Sequence, residues 1–391
     1  MVDTVTVTGH RSQPDYYIPV VLLLTNGTEL PAADYVSIEE TNLSHASSAT
    51  VQMRVDTLSR PYFFDPASAA EAAAAAVGDG QLPSTDSIPV VDIEIRVGFM
   101  APGQAVGDVA LTTRFRGMVT HAVYNPAAQR VELQARDYSA LLANKQLPNH
   151  SWQNMRASDI VAQVAASVGL TADVDSTDGI LGQFQQYEHR ALGLATHHRW
   201  KTAWDFCIAM QRMTGYDLYV TGKTLHFKKA LVSGTPDTLS YTPPSSADYS
   251  PHTTVTDLRL ERDMILTRVV SVTVRSWDAR QRVAHFASYP SPPTTDSINY
   301  EFPADPGTTP DQLRTMAVAK YHDVIAHGRT VQGDIHPQSS ITVRTPVTLS
   351  GTGTTFDQTY RVDQTVLTIS ADTCNYSVTL RNRGDGLEAS S

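Results

Sequence analysis

Two helix signatures, each closed by a glycine and followed by a short strand, sit in the middle of this 391-residue chain, with strand-like sequence on both sides. The first runs from Arg156 to Leu170. The second runs from Thr202 to Tyr216 and leads straight into Asp217-Leu218-Tyr219-Val220 and Leu225-His226-Phe227. In the first, Ser158 is placed to cap and Gly169 to stop a helix, and Val161, Val164, Ala165 and Val168 recur at helical spacing. In the second, Thr202 with Asp205 forms a shortened capping pattern, Phe206, Met210 and Met213 share one face, and Gly215 suits a left-handed stop. Thr221-Gly222-Lys223 then predicts a hairpin. A small α/β module over residues 151–236 is the expectation.

The flanks alternate with the period of strands. In residues 1–150, Ile18 to Leu24 meets the tight-turn pair Asn26-Gly27, and Ala49, Val51, Met53 and Val55 alternate with polar residues. Further strands are expected at Val91 to Phe99, Thr113 to Tyr124 and Arg130 to Ala135. Residues 57–90 interrupt this pattern: Ser68-Ala69-Ala70-Glu71 opens an alanine-rich run that Gly78 closes, between flanks rich in Pro, Ser, Asp and Gly. That reads as an inserted loop with a short exposed helix, either a decoration or a contact arm.

In residues 237–383, Val270, Val272 and Val274 alternate, Asp278-Ala279-Arg280-Gln281 is a turn, and Val283, His285 and Ala287 return. A helix over 309–327 follows, with Thr309 as cap, Pro310 at its first position, Gly328 as its stop, and Leu313, Met316, Ala317, Tyr321 and Val324 as its stripe. Strands at Ile341 to Leu349, Thr359 to Ser370 and Tyr376 to Leu380 complete this segment, and 384–391 reads as a flexible tail. Regular short strands around a helical middle predict a β-rich α+β fold in two or three domains, given about 100–200 residues per domain.

Several function classes are disfavoured. With 30 basic and 40 acidic residues the net charge is −10, against a general phosphate-binding surface. Cys207 and Cys374 are the only cysteines, so no disulfide framework or zinc cluster is suggested. The start Met1-Val2-Asp3-Thr4-Val5-Thr6 lacks a signal-peptide pattern, and Ile18 to Leu24 falls well below the roughly 20 apolar residues of a membrane span. His197-His198, His322 and His327 lack metal-ligand spacing. Asp173 to Gly179 resembles a calcium loop without its terminal Glu, so an acidic turn is the better reading. No nucleophile elbow, phosphate loop or dinucleotide fingerprint occurs, and Trp152, Trp200 and Trp204 read as packing rather than a sugar platform. The expectation is therefore no catalytic residues, no cofactor, no metal and no enzyme.

A family resemblance covers nearly the whole chain. It rests on Phe115-Arg116-Gly117-Met118-Val119, Leu133-Gln134-Ala135-Arg136-Asp137, the two helix-glycine segments, Val272-Thr273-Val274-Arg275-Ser276-Trp277-Asp278, Tyr360-Arg361-Val362-Asp363 and Tyr376-Ser377-Val378-Thr379-Leu380-Arg381. In these the sequence resembles the baseplate hub proteins of contractile phage tails, the late-control protein D family, related to the hub portion of VgrG-type spike proteins. The resemblance implies two tube-like β-barrel domains, 1–150 and 237–383, flanking the α/β module.

It further implies a homotrimer that adapts a sixfold tail tube to a threefold spike and lines the channel for tape-measure protein and DNA. The spike would sit on the distal face, and the tail tube or a distal tube-initiator protein on the proximal face. Other baseplate proteins would surround the ring, DNA would touch it only in passage, and the virion would be assembled in the host cytoplasm. No sequence follows Ser391 for an OB-fold and needle, so a separate spike protein is expected. Two alternatives stay open: a virion-associated protein that binds or degrades cell-wall glycan, and the hub of a phage-like bacterial injection system. If acidic residues face the channel, they would repel the DNA backbone.

Overall fold

The computed structural model describes residues 18–42, 45–54, 91–147, 152, 155–178, 202–229, 236–244, 251–264, 266, 269–278, 282–292, 297–304 and 308–382. The expected insertion at 57–90, His197, His198, Trp200 and the tail at 384–391 lie outside these residues. The chain is a β-rich α+β protein with large antiparallel sheets. Its contacts divide it into two compact units, one of Met1–Val36, Val51–Leu133 and Ile369–Cys374, the other of Ser37–Thr50, Gln134–Thr368 and Asn375–Ser391.

The first unit is built on an antiparallel meander. Strand β1 (Ile18–Thr25) turns through Asn26 and Gly27, both at positive φ, into β2 (Thr28–Glu29). This is the turn that an Asn-Gly pair favours, because both central residues tolerate the left-handed region. Strand β1 also pairs along its length with β5 (Asp92–Met100), which pairs with β6 (Thr112–Asn125). Alternate residues, including Leu23, Ile93, Ile95 and Val97, are fully buried, so the period-2 pattern places one apolar face inward. Strands β3 (Ala33–Thr41), β4 (Ser48–Arg54) and β7 (Arg130–Arg136) each run from one unit into the other.

Among the described residues, the second unit contains three short helices, one long helix and three groups of strands. Helix α1 (Ser139–Asn144) follows Asp137, whose carboxylate accepts the Ser47 and Ser139 N–H groups, each at 2.9 Å. Helix α2 is Ala157–Ala166 with Arg156 at the cap position, starting two residues earlier than a Ser158 cap requires. Ser158 instead lies buried against Thr177, whose hydroxyl accepts the Ser158 N–H at 3.2 Å, so a tertiary contact replaces the local cap. Helix α3 (Ala203–Thr214) is as expected: the Thr202 hydroxyl accepts from Asp205 N–H at 3.1 Å, and Gly215 ends it at φ 73°. Strands β8 (Thr171–Val174), β9 (Asp217–Thr221) and β10 (Thr224–Lys228) form a three-stranded sheet in the order β8-β10-β9.

Beyond the module, β11 (Asp237–Thr242) pairs with β12 (His252–Thr253) and lies parallel to β18 (Pro346–Ser350). Strand β13 (Thr256–Arg262) pairs with β17 (Arg329–Ile335), which pairs with β20 (Cys374–Arg381), while β19 (Thr359–Ser370) pairs with β18. The expected strand from Ile341 is shorter than its apolar residues suggest. Arg344 adopts φ 74°, which no strand accommodates, and ordering of β18 waits until Pro346.

A separate sheet holds β14 (Val270–Asp278) between β15 (Val283–Tyr289) and β16 (Ile298–Pro303). Helix α4 (Pro310–Ala326) packs on it, joining Leu313 and Ala317 to Val270, Val272 and Val274 in one core. Each of these valines stabilises the layer by about 1.5–3 kcal/mol. The helix start is a complete capping box between Thr309 and Gln312 with Pro310 at the first position. Its end differs from expectation: His327 closes it in right-handed geometry, without a left-handed glycine at 328.

Candidate functional site

The strongest concentration of buried charge lies in the second unit, where the hairpin β9–β10 meets β19. Gly215 reverses the chain at the end of α3, and that reversal delivers Asp217 to a buried position at the start of β9. Arg361 of β19, 5% exposed, grips it with both terminal nitrogens, Nη1 to Oδ1 at 3.2 Å and Nη2 to Oδ2. This two-pronged geometry suits a guanidinium rather than an ammonium. Two positions along, Asp363 is buried and receives Arg381 of β20 at 3.4 Å, so the Tyr360–Asp363 and Tyr376–Arg381 segments are joined by charge.

A second arginine completes the cluster. The guanidinium of Arg344 stands 3.8 Å over the Tyr219 ring, a cation–π contact, and burial lowers its pKa from the usual arginine range. Its left-handed backbone is fixed by hydrogen bonds from Arg344 N–H to Val362 O and from Val362 N–H to Thr345 O. Tyr219 stacks in turn on His226 at 4.7 Å, and His226 Nδ1 lies 3.0 Å from Asp173 Oδ2. Lys228 bridges Asp173 and Asp175 at 2.5 and 3.2 Å. The Lys228 hydrogen bond, then that of His226, holds the Asp173 carboxyl below the ordinary range; the Lys229 N–H, followed by Lys228, does so for Asp175. The segment read as an acidic turn is therefore partly strand β8, with its carboxylates turned to cross-strand cations.

Each charged side chain in this chain of contacts has an oppositely charged or aromatic neighbour, and Arg361 Nε alone of the clamp's two-pronged pair is buried without an acceptor among the described residues. Such an arrangement clamps strands; it does not present a nucleophile beside a base. Among the described residues no group of three His, Cys, Asp or Glu side chains is arranged to hold a metal ion. Cys207 is fully buried, and burial pushes its thiol up to about 12. Trp152 stacks on Phe206 at 4.7 Å and Trp204 is buried, which places both in packing. His322 is half-buried beside Tyr289 and Tyr321. The clamp itself was missed in the sequence. Asp217 and Arg361 are 144 positions apart, and Arg344 stands inside a run read as strand.

No protein-family model and no curated protein matches the chain. Solved structures do. A tail protein from Neisseria meningitidis superposes with a TM-score of 0.61 at 13% identity, covering 93% of this chain and 96% of that one. The chain has the fold of phage tail proteins. The 43 kDa tail protein of prophage MuSo2 from Shewanella oneidensis gives 0.60 at 12% identity, covering 93% and 98%. An E. coli component of the type VI secretion system, described as similar to bacteriophage T4 tail proteins, gives 0.50 at 11% identity over 92% of this chain and 76% of that one.

Proposed function

We propose that this chain is the structural hub of a contractile-tail baseplate, acting without catalysis in the virion. The observation that carries the reading is the reciprocal match to two tail proteins, which spans 93% of this chain and nearly all of each neighbour. A shared local motif does not produce such coverage. The internally matched charges of the Asp217 clamp support a load-carrying rather than catalytic role.

In this reading the segments 1–150 and 237–383 act as two tube-like barrel domains around the module at 151–236. Three copies form a ring between the tail tube or its initiator protein and a separate spike. Tape-measure protein and DNA pass through its channel, where acidic side chains repel the phosphates. The similarity to a type VI secretion component favours one variant, the same hub in a bacterial injection system. Native mass spectrometry of the chain with the spike and tube proteins encoded beside it tests the proposal. A trimer that takes up one trimeric spike is the expected result, and a monomer that binds neither partner overturns it.

A further inference from the structure

One end of the β13–β17 pair carries two arginines placed directly opposite each other. Arg262 and Arg329 are cross-strand partners in the antiparallel register, and Asp263 N–H to Gly328 O at 3.1 Å pins the strand ends beside them. Like charges in this position repel, so the arrangement is unfavourable in an isolated sheet. Both side chains turn to the same loop and find only neutral acceptors there. Arg262 donates to the Thr355 hydroxyl and lies 5.4 Å from the Phe356 ring centre; Arg329 donates to Thr355 O at 2.9 Å and Gln358 Oε1 at 2.7 Å.

Neighbouring carboxylates are engaged elsewhere. Glu261 lies 3.6 Å from Arg259, and Asp263 accepts the Leu266 N–H at 3.1 Å. Asp357 accepts from the Thr352 hydroxyl and from the Thr352 and Gly353 N–H groups, which hold its carboxyl below the ordinary range. Neither Arg262 nor Arg329 has a carboxylate partner among the described residues. Two further donors there, Arg262 Nε and Gln358 Nε2, are buried without an acceptor among them. Two residues beyond Arg262 in the chain, Met264 is 73% exposed.

We propose that the Arg262–Arg329 corner is a docking point for carboxylate side chains of a second copy of this chain. Paired guanidiniums match carboxylate oxygens in geometry and charge, and this chain, with ten more acids than bases, presents copies of itself as acid-rich partners. The exposed apolar Met264 favours a protein surface over a nucleic-acid backbone, since a phosphate chain gains nothing from covering it. The contact rests on the trimeric reading above and names where one subunit would hold the next.

The test uses the full chain with Arg262→Lys or Arg329→Lys, each keeping the charge while adding an amine. Copies labelled with ¹⁴N and ¹⁵N are mixed and treated with a carbodiimide, which joins amines to touching carboxylates, and the linked peptides are read by mass spectrometry. The expected product is a link from position 262 or 329 to an Asp or Glu of a differently labelled copy. Arg262→Glu/Arg329→Glu is expected to weaken association roughly tenfold or more, as is added salt for the wild-type chain. A trimer that forms without such a link and ignores the charge reversal overturns the inference and leaves the hub reading standing. Absence of any trimer removes the hub reading itself. Binding of single-stranded oligonucleotide that is lost on charge reversal, with assembly unchanged, would overturn the proposal in favour of phosphate.

Discussion

Asp217→Asn is the most informative single change in the clamp. The Asp217 and Arg361 side chains are only 12% and 6% exposed, so the substitution preserves shape while leaving Arg361 charged and buried. Arg344 raises the cost, because Asp217 is one of the groups that offsets the repulsion between the two arginines. Breaking a buried pair from one side costs about 3–5 kcal/mol. For a cooperative unit of 150–250 residues, each kcal/mol lowers the melting temperature by roughly 2–4 °C, giving a drop of roughly 6–20 °C. All four tryptophans lie in the segment Gln134–Thr368, so fluorescence melts report the unit that holds the clamp. Asp217→Leu combined with Arg361→Met removes both charges and is expected to recover most of the loss, since an apolar pair avoids the desolvation cost. A shift below about 2 °C for Asp217→Asn, or a double variant as unstable as the single one, refutes the reasoning.

Three further changes test other parts of the fold. Burial lowers the His322 pKa below its ordinary 6.5, so its contribution to stability is present above pH 6.5 and is lost as pH falls through the lowered value; His322→Phe is expected to flatten the decline in melting temperature between pH 7.5 and that value. Gly351 sits at φ 86° with an added Cβ only 2.1 Å from Tyr241 O, whereas Gly353 at φ 66° has open space. Chemical denaturation is expected to show Gly351→Ala costing well over the ~1–2 kcal/mol of left-handed strain that Gly353→Ala alone incurs. In a Cys374→Ser chain, the thiol of Cys207 is expected to react with a disulfide reagent at pH 8 only after unfolding, and reaction in the native state would contradict its burial.

Local signals were readable wherever a single segment decides its own conformation. Asn26-Gly27 turned as its backbone preference requires, and Thr202 with Gly215 bounded α3, as did Thr309 and Pro310 at the start of α4. Expectations failed where a distant partner decided. Thr177 took over the end of α2 from Ser158, and the left-handed Arg344 cut short a run whose apolar alternation alone reads as strand. Strands β13 and β17 are absent from the sequence expectations although both alternate, Leu258 and Leu260 with charged neighbours in β13 and the buried Val331, Gly333 and Ile335 in β17; each is short, and the two pair across about 70 residues of chain. The clamp was invisible for a related reason: Asp217 and Arg361 looked like ordinary polar residues in strands until the fold placed them within 3.2 Å.

The two arginine pairs of the second unit separate what the fold requires from what it leaves for a partner. Arg344 and Arg361 are also neighbouring cations, yet they have Asp217, the Tyr219 ring and the Glu40 field around them, so their repulsion is offset within one chain. Arg262 and Arg329 face each other with neutral loop acceptors and the Phe356 ring, and with no carboxylate partner among the described residues. Stability by itself favours replacing one member of such a pair with a neutral or acidic residue, a change within reach of single substitutions and worth a few tenths of a kcal/mol to about 1 kcal/mol. A free-standing domain therefore has little physical use for the arrangement. In the proposed ring it gains one, because the charge that destabilises one subunit would become attraction once an acidic neighbour arrives.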